Sequence, residues 1–236
     1  MVSSGQQAVP YRGFISIAVM LATIMQVLDT TIANVALPHM RGSLSATQDQ
    51  ITWVLTSYIV ASAIMTLPTG WLAGRFGRKN VFLISTAGFT LTSLLCGIAG
   101  SIEAMVFYRI LQGCFGAAIV PLAQATMLDI NPREKHGSAM ALWGVGVMIG
   151  PILGPTLGGY LTEYYNWRWV FLINLPLGIV TFIGLWMFMP ESERSSRPLD
   201  GFGFALLVLT IGSLQLILDR GEQVEWFASH EILFYL

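Results

Sequence analysis

The sequence predicts an all-α membrane protein, and three observations carry that prediction. Lys+Arg (12) and Asp+Glu (13) make up only 11% of its 236 residues, against roughly 25% in a soluble domain. Hydrophobic residues reach 54%, and mean hydropathy is +0.66. The apolar residues gather in seven runs, each close to the roughly 20 residues a helix needs to cross a ~30 Å hydrocarbon core. A water-soluble fold of this size cannot cover its surface with so few charges. The net charge of −1 and the lack of a basic domain argue against nucleic acid as a partner. Cys96 and Cys114 both lie in apolar runs, so neither a disulfide framework nor a zinc cluster is available, and no metal site is expected.

In chain order the predicted spans are 14–36, 51–73, 80–100, 104–127, 138–162, 169–189 and 201–218. Short charged or Pro- and Gly-containing segments separate them. The apolar run of the first span continues past Asp29 to Pro38 with no small-residue cleavage site, which distinguishes it from a signal peptide. Residues 232–236 read as the first turn of an eighth span. The expected organisation is a tail at 1–13, a six-helix bundle at 14–189, a loop at 190–200, an additional span at 201–218, and an outer loop with the start of another span at 219–236.

Orientation follows from the cations, which accumulate on the cytoplasmic side. With the N-terminus inside, eight lie in inner segments: Arg12, Arg75, Arg78, Lys79, Arg133, Lys135, Arg194 and Arg197. Only Arg41, Arg168 and Arg220 lie outside, and Arg109 falls within a span. A cytoplasmic N-terminus is therefore expected. The tryptophans fall near span ends or in loops, where interfacial anchors belong.

Residues 70–84 and 159–173 match at six of fifteen positions, ending in a shared Val-Phe-Leu-Ile. One segment joins spans 2 and 3 inside; the other joins spans 5 and 6 outside. Similar connectors on opposite faces are what a three-plus-three inverted repeat leaves in a sequence.

Two ionisable groups sit at membrane depth, where they are costly and mark function by default. Asp29 lies in the second half of span 1, in a stripe with Gln26, Thr30, Ala33 and Asn34 that should face the bundle interior. Arg109 in span 4 shares its face with Gln112, Gly113, Gly116 and Ala117. A guanidinium stays charged and needs an acceptor, and Asp29 is the acid buried well within a span. Glu103 and Asp129 lie only at the ends of span 4. Proximity to Arg⁺ favours the carboxylate while burial disfavours it, so a change in their separation would load or release a proton.

Span 5 carries Gly146, Gly150, Gly154 and Gly158 at an unbroken spacing of four, which permits close helix packing. Pro151 and Pro155 weaken its backbone ladder and invite a bend. The connector 70–79 sets Arg75, Arg78 and Lys79 against the inner membrane surface. No His-Glu-x-x-His or Gly-x-Ser-x-Gly occurs, and the three histidines fall in loops, so the chain offers nothing for an enzyme. An intramembrane paired-aspartate enzyme would need a second buried acid. A seven-helix receptor would need the N-terminus outside, and a retinal Schiff base would need a lysine in a late span, whereas Lys79 and Lys135 are in loops.

These segments resemble the major facilitator superfamily over nearly the whole chain. Gly70-Trp-Leu-Ala-Gly-Arg-Phe-Gly-Arg-Lys79 is similar to its span 2–3 gating signature, built here on Gly70, Gly74, Arg75, Gly77, Arg78 and Lys79. Tyr108-Arg-Ile-Leu-Gln-Gly113 resembles its span 4 arginine motif. The run from Gly146 through Gly150-Pro151, Gly154-Pro155 and Gly158-Gly159 resembles its antiporter motif. Leu28–Pro38 is similar to the span 1 motif of the fourteen-span drug:proton antiporters, the EmrB/QacA group, and Asp200–Trp226 resembles the first of that group's two extra central helices.

The resemblance implies the major facilitator fold: an N-terminal six-helix bundle plus a seventh span, truncated before the C-terminal bundle. It implies multidrug efflux of hydrophobic or cationic compounds across the bacterial inner membrane by proton antiport. The proton gradient would be the energy source, with no cofactor. EmrB-like members work with a periplasmic adaptor and an outer-membrane channel; QacA-like members work alone. Asp29 and Arg109 would couple protons, and Gln26, Thr30, Asn34, Gln112 and Gly113 would line the substrate pathway. One position departs from the pattern. Gly74 stands where the signature usually carries an acid, which puts the latch that acid forms in doubt.

Overall fold

The computed structural model describes residues 10–192, 194, 195, 198 and 200–221. The expected start of an eighth span, Arg197 and most of the N-terminal tail lie outside the described residues.

The described residues fold into ten α-helices and one 3-10 turn, with no strand among them. The helices are α1 (Arg12–Ser43), α2 (Gln48–Thr66), α3 (Thr69–Phe76), α4 (Arg78–Gly97), α5 (Ile102–Gly116), α6 (Ile119–Asp129), α7 (His136–Tyr164), α8 (Trp169–Leu172), α9 (Asn174–Phe188) and α10 (Gly201–Arg220). Six helical segments are long and apolar enough to cross a membrane. A seventh is the pair α2 and α3, bent by 55°. With that pair counted as one, the described residues hold as many candidate spans as the sequence predicts.

Three spans are interrupted, each beside a proline. Pro68 lies in the α2–α3 bend. Pro121 removes the donor that would reach the Ala117 carbonyl between α5 and α6, and the Thr66 hydroxyl donates to that carbonyl instead (3.4 Å). Pro176 does the same to the Leu172 carbonyl at the α8–α9 break. Span 5 is not interrupted: α7 runs unbroken through Pro151 and Pro155. Both prolines are exposed, while the neighbouring glycine face of α7 is held against α1 over four turns.

That hold is the glycine run. A Cβ at Gly150 would stand 2.6 Å from Val27 Cγ1, and one at Gly158 would stand 2.9 Å from Ile32 Cγ1. Gly146 lies against Met20, and Gly154 against Thr31. The two backbones thus approach as only glycine permits. The Thr31 hydroxyl donates to the Gly150 carbonyl (3.1 Å), and the Trp143 indole donates to Thr23 (3.3 Å). Trp143 therefore ties α7 to α1, and Trp167, only 4% exposed, belongs to the core.

The packing pattern has the symmetry that the sequence repeat suggests. The most extensive contacts are α1 with α7 and α2 with α5. Exchanging spans 1–3 with spans 4–6 converts one pair into the other. The same exchange maps α4–α5 onto α9–α1, and α4–α9 onto itself; all three are major contacts. The helix α10 stands apart and packs on α2. Its C-terminal end is fixed there by a hydrogen bond from Thr56 to Asp219 and by Arg220 stacked 4.9 Å over the Trp53 ring.

Two apolar clusters divide the bundle along its length. One, at the end carrying Arg78 and Asp129, includes Met25, Phe82, Phe89, Ala118, Ile119 and Leu185. The other includes Ile32, Val54, Cys96, Met105, Trp167 and Phe171. On α1, Asp29 falls between Met25 and Ile32; on α4, Ser93 falls between Phe89 and Cys96. A polar layer is therefore sandwiched at mid-height.

Candidate functional site

Asp29 and Arg109 meet in that layer. Each is 0% exposed. Arg109 Nη1 donates to Asp29 Oδ2 at 2.7 Å. The same Nη1 donates to Gln112 Oε1 (2.7 Å), and Nε donates to the Val54 carbonyl on α2 (3.0 Å). The guanidinium carbon lies 4.1 Å from the centre of the Tyr58 ring and 5.7 Å from that of Phe171, so two aromatic faces add to its stabilisation.

The other carboxylate oxygen is equally occupied. Asp29 Oδ1 accepts from Gln112 Nε2 (2.9 Å) and from Asn174 Nδ2 (2.7 Å). Asn174 also reaches Ser93 Oγ (2.9 Å), and Ser93 donates to the Phe171 carbonyl (2.9 Å). Cys96 Sγ donates to Gln112 Oε1 (3.5 Å). One carboxylate thus receives three donors, one of them cationic, and helices α1, α2, α4, α5, α8 and α9 are drawn into a single network. Burying charge at this depth is tolerable only with such pairing.

The sequence brings out the two charges and Gln112, and the structure joins all three. The stripe expected around Asp29 is divided. Asp29 and Ala33 are buried, Gln26 and Thr30 are half-buried, and Asn34 is exposed. Gln26 touches the site indirectly, donating to Tyr58 Oη at 3.3 Å. Thr30 and Asn34 bond only to their own helix, at Val27 O and Thr30 O. The division follows from angle: Asn34 sits about 140° around the helix from Asp29, too far to share a buried face. Gly113 is likewise closed off. A Cβ there would stand 3.1 Å from Ala61 Cβ and 3.2 Å from the Ser62 nitrogen, so it serves the α2–α5 contact.

Sequence reading missed Asn174, Ser93, Tyr58 and Cys96. Ser93 and Cys96 stand three apart on one face of α4, a polar pair within an apolar run. Asn174 carried a stronger signal: an amide deep in span 6, two residues before a proline.

The basic connector forms a second assembly. Gly77 has φ +89°, a conformation that favours glycine, and it ends α3 while starting α4. Arg78 forms an ion pair with Asp129, at the end of α6, and its backbone N–H donates to Ser192 Oγ (2.7 Å). Ser195 N–H donates to the Gly74 carbonyl (2.7 Å). Gly74 thus lies beneath the loop that follows α9, and the acid facing Arg78 comes from span 4. Gly159 and Gly70 each have open space where a Cβ would stand. No group of three metal-ligating side chains occurs among the described residues.

Comparison with known proteins agrees with this architecture. The chain is 44% identical to the multidrug export protein EmrB of Haemophilus influenzae, over 99% of this chain and 47% of that protein. It is 42% identical to the fatty acid resistance protein FarB of Neisseria gonorrhoeae, over 93% of this chain and 44% of that one. It thus spans about half the length of the curated relatives it matches. Among solved structures, the inward-open xylose transporter XylE from E. coli superposes with a TM-score of 0.69 at 17% identity, over 89% of this chain and 57% of that one. The human organic anion transporter MFSD10 gives 0.68 at 19%, over 91% and 56%. These likenesses carry the fold. With its family model matched over residues 19–229, the chain belongs to the major facilitator superfamily.

Proposed function

We propose that this chain is the N-terminal half of a proton-driven exporter of hydrophobic or cationic compounds. It would lie in the bacterial inner membrane with its N-terminus in the cytoplasm. The observation that carries this reading is the fully buried Asp29–Arg109 pair at mid-height, tied to four further helices. A buried ion pair contributes little net stability compared with apolar residues of the same volume. Its presence between two apolar clusters therefore points to work on a proton or a charged ligand. The names of the relatives support export of drug-like and fatty compounds.

Asp29 takes a proton from the outer side, which weakens its hold on Arg109 and lets the bundle change its packing. Substrate leaves outward. As the bundle rocks back, Arg109 favours the carboxylate form and the proton is released inward. A cationic substrate competes for the same negative charge, so its exit is linked to protonation. Adaptor and outer-membrane channel partners of the EmrB type fit this role. Gly146–Gly158, pressed on α1, would transmit the motion, and the Arg78–Asp129 assembly would hold the cytoplasmic end.

The test uses the transporter expressed from the reading frame that carries this sequence, in everted vesicles. Asp29→Asn should reach the membrane yet lose drug-driven collapse of the pH gradient. Normal proton–drug exchange by that variant would overturn Asp29 as the coupling site.

A further inference from the structure

Asp29 has two amide neighbours, and they differ in freedom. Gln112 is committed at both ends: its Nε2 donates to Asp29, while its Oε1 accepts from Arg109 and from Cys96. Asn174 is committed at one end. Its Nδ2 serves Asp29 Oδ1 and Ser93 Oγ, but its own Oδ1 is buried with no hydrogen-bond partner among the described residues. A buried amide oxygen left unpaired is costly and calls for an explanation.

A proton supplies one. When Asp29 is ionised, Oδ1 wants donors, and the Asn174 NH₂ is one. When a proton from water binds Oδ1, the carboxylate becomes a neutral carboxyl whose O–H needs an acceptor, and a donor aimed at it is repelled. Reversing the Asn174 amide by a half-turn answers both demands, bringing the idle Oδ1 to face the new O–H. Ser93 then faces an acceptor rather than a donor, and its hydroxyl can turn from the Phe171 carbonyl toward Asn174. No other side chain in contact with Asp29 offers this reversal. The charged and titratable groups around it are Arg109 from α5, Tyr58 from α2 and Cys96 from α4; α7 and α9 present none.

Position makes the reversal consequential. Asn174 is the first residue of α9, directly after the break at Ile173, and Pro176 follows two residues later. The Phe171 carbonyl belongs to α8, on the other side of that break. We propose that Asn174 is a positioning residue that reads the protonation of Asp29 by amide reversal and passes it, through Ser93, to the hinge of span 6. This rests on Asp29 being the proton site.

The experiment attaches spin labels to Leu91 on α4 and Ile183 on α9, both exposed, in the full transporter, and measures their separation against pH alongside proton–drug exchange. The unaltered protein should show a pH-dependent change in separation. Asn174→Ala should abolish that change and lower coupled exchange by about tenfold or more, the scale of a lost buried polar partner. Asn174→Ser keeps a small group that both donates and accepts, with room for a bridging water, and should restore the pH response in part. Asp29→Asn should fix the separation at its low-pH value at every pH. An unchanged pH response in Asn174→Ala overturns the inference while leaving Asp29 as the coupling site. A normal pH response in Asp29→Asn overturns both readings. Should the alanine variant fail to fold, the serine variant decides alone: a reduced pH response supports the switch, and an unaltered profile rejects it.

Discussion

At the residue scale, Arg109 shows why charge alone does not specify the site. Its Nε and Nη1 point in different directions, to the Val54 carbonyl and to the Asp29–Gln112 pair, from one rigid plane between two rings. A lysine has the charge but neither the fork nor the flat face. Arg109→Lys should therefore lower drug efflux about tenfold or more despite normal membrane insertion, as measured by dye extrusion from vesicles. Efflux equal to the unaltered protein would mean that only the positive charge matters. The pairing of Asp29 with Arg109 was legible in the sequence because an intramembrane charge must find its opposite. Gln112 was legible with them, but Asn174 and Ser93 were not, since a lone Asn or Ser within an apolar run looks the same whether it bonds its own helix or a distant one. Thr30 and Asn34 do the former, and Asn174 and Ser93 do the latter.

At the element scale, spacing outperformed composition. Four glycines at intervals of four predict a helix contact, and α1 fills it residue for residue with Met20, Val27, Thr31 and Ile32. The effect of a proline depends on what braces the helix. Pro68, Pro121 and Pro176 accompany interruptions, while Pro151 and Pro155 sit in a helix clamped along its glycine face. Substitution separates contact from composition. Gly150→Leu should prevent the close α1–α7 approach and abolish efflux, since a side chain would meet the Val27 backbone carbon 3.0 Å from its Cβ. Gly159→Ala, which meets nothing within 4 Å, should melt in detergent as the unaltered protein does. Equal melting and equal transport in both variants would reduce the run to a compositional habit.

At the scale of the whole molecule, the helical spans and their pairing were legible because they rest on lengths and an internal repeat, which survive without side-chain detail. The exposed surfaces needed coordinates. Positions such as Leu91, Phe107, Ile152 and Ile183 are exposed and apolar, as a surface against hydrocarbon requires. Asn34 is exposed as well, yet it is an amide within α1, a helix that must cross the same bilayer. A polar side chain at that depth avoids hydrocarbon and faces either protein or a wet cleft. Half-buried Gln26 and Thr30 lie on the same side of α1, so the three define a polar strip that the six-helix bundle leaves uncovered. Relatives about twice the length of this chain supply enough residues to form the opposite wall of such a cleft. With half-buried Cys114 replaced by alanine, Asn34→Cys in the full transporter should react with a charged, membrane-impermeant thiol reagent and be protected by bound substrate. Leu91→Cys, on the lipid side, should stay unreactive. Reaction at Leu91 and silence at Asn34 would turn the bundle around, with the strip against lipid and the pathway elsewhere.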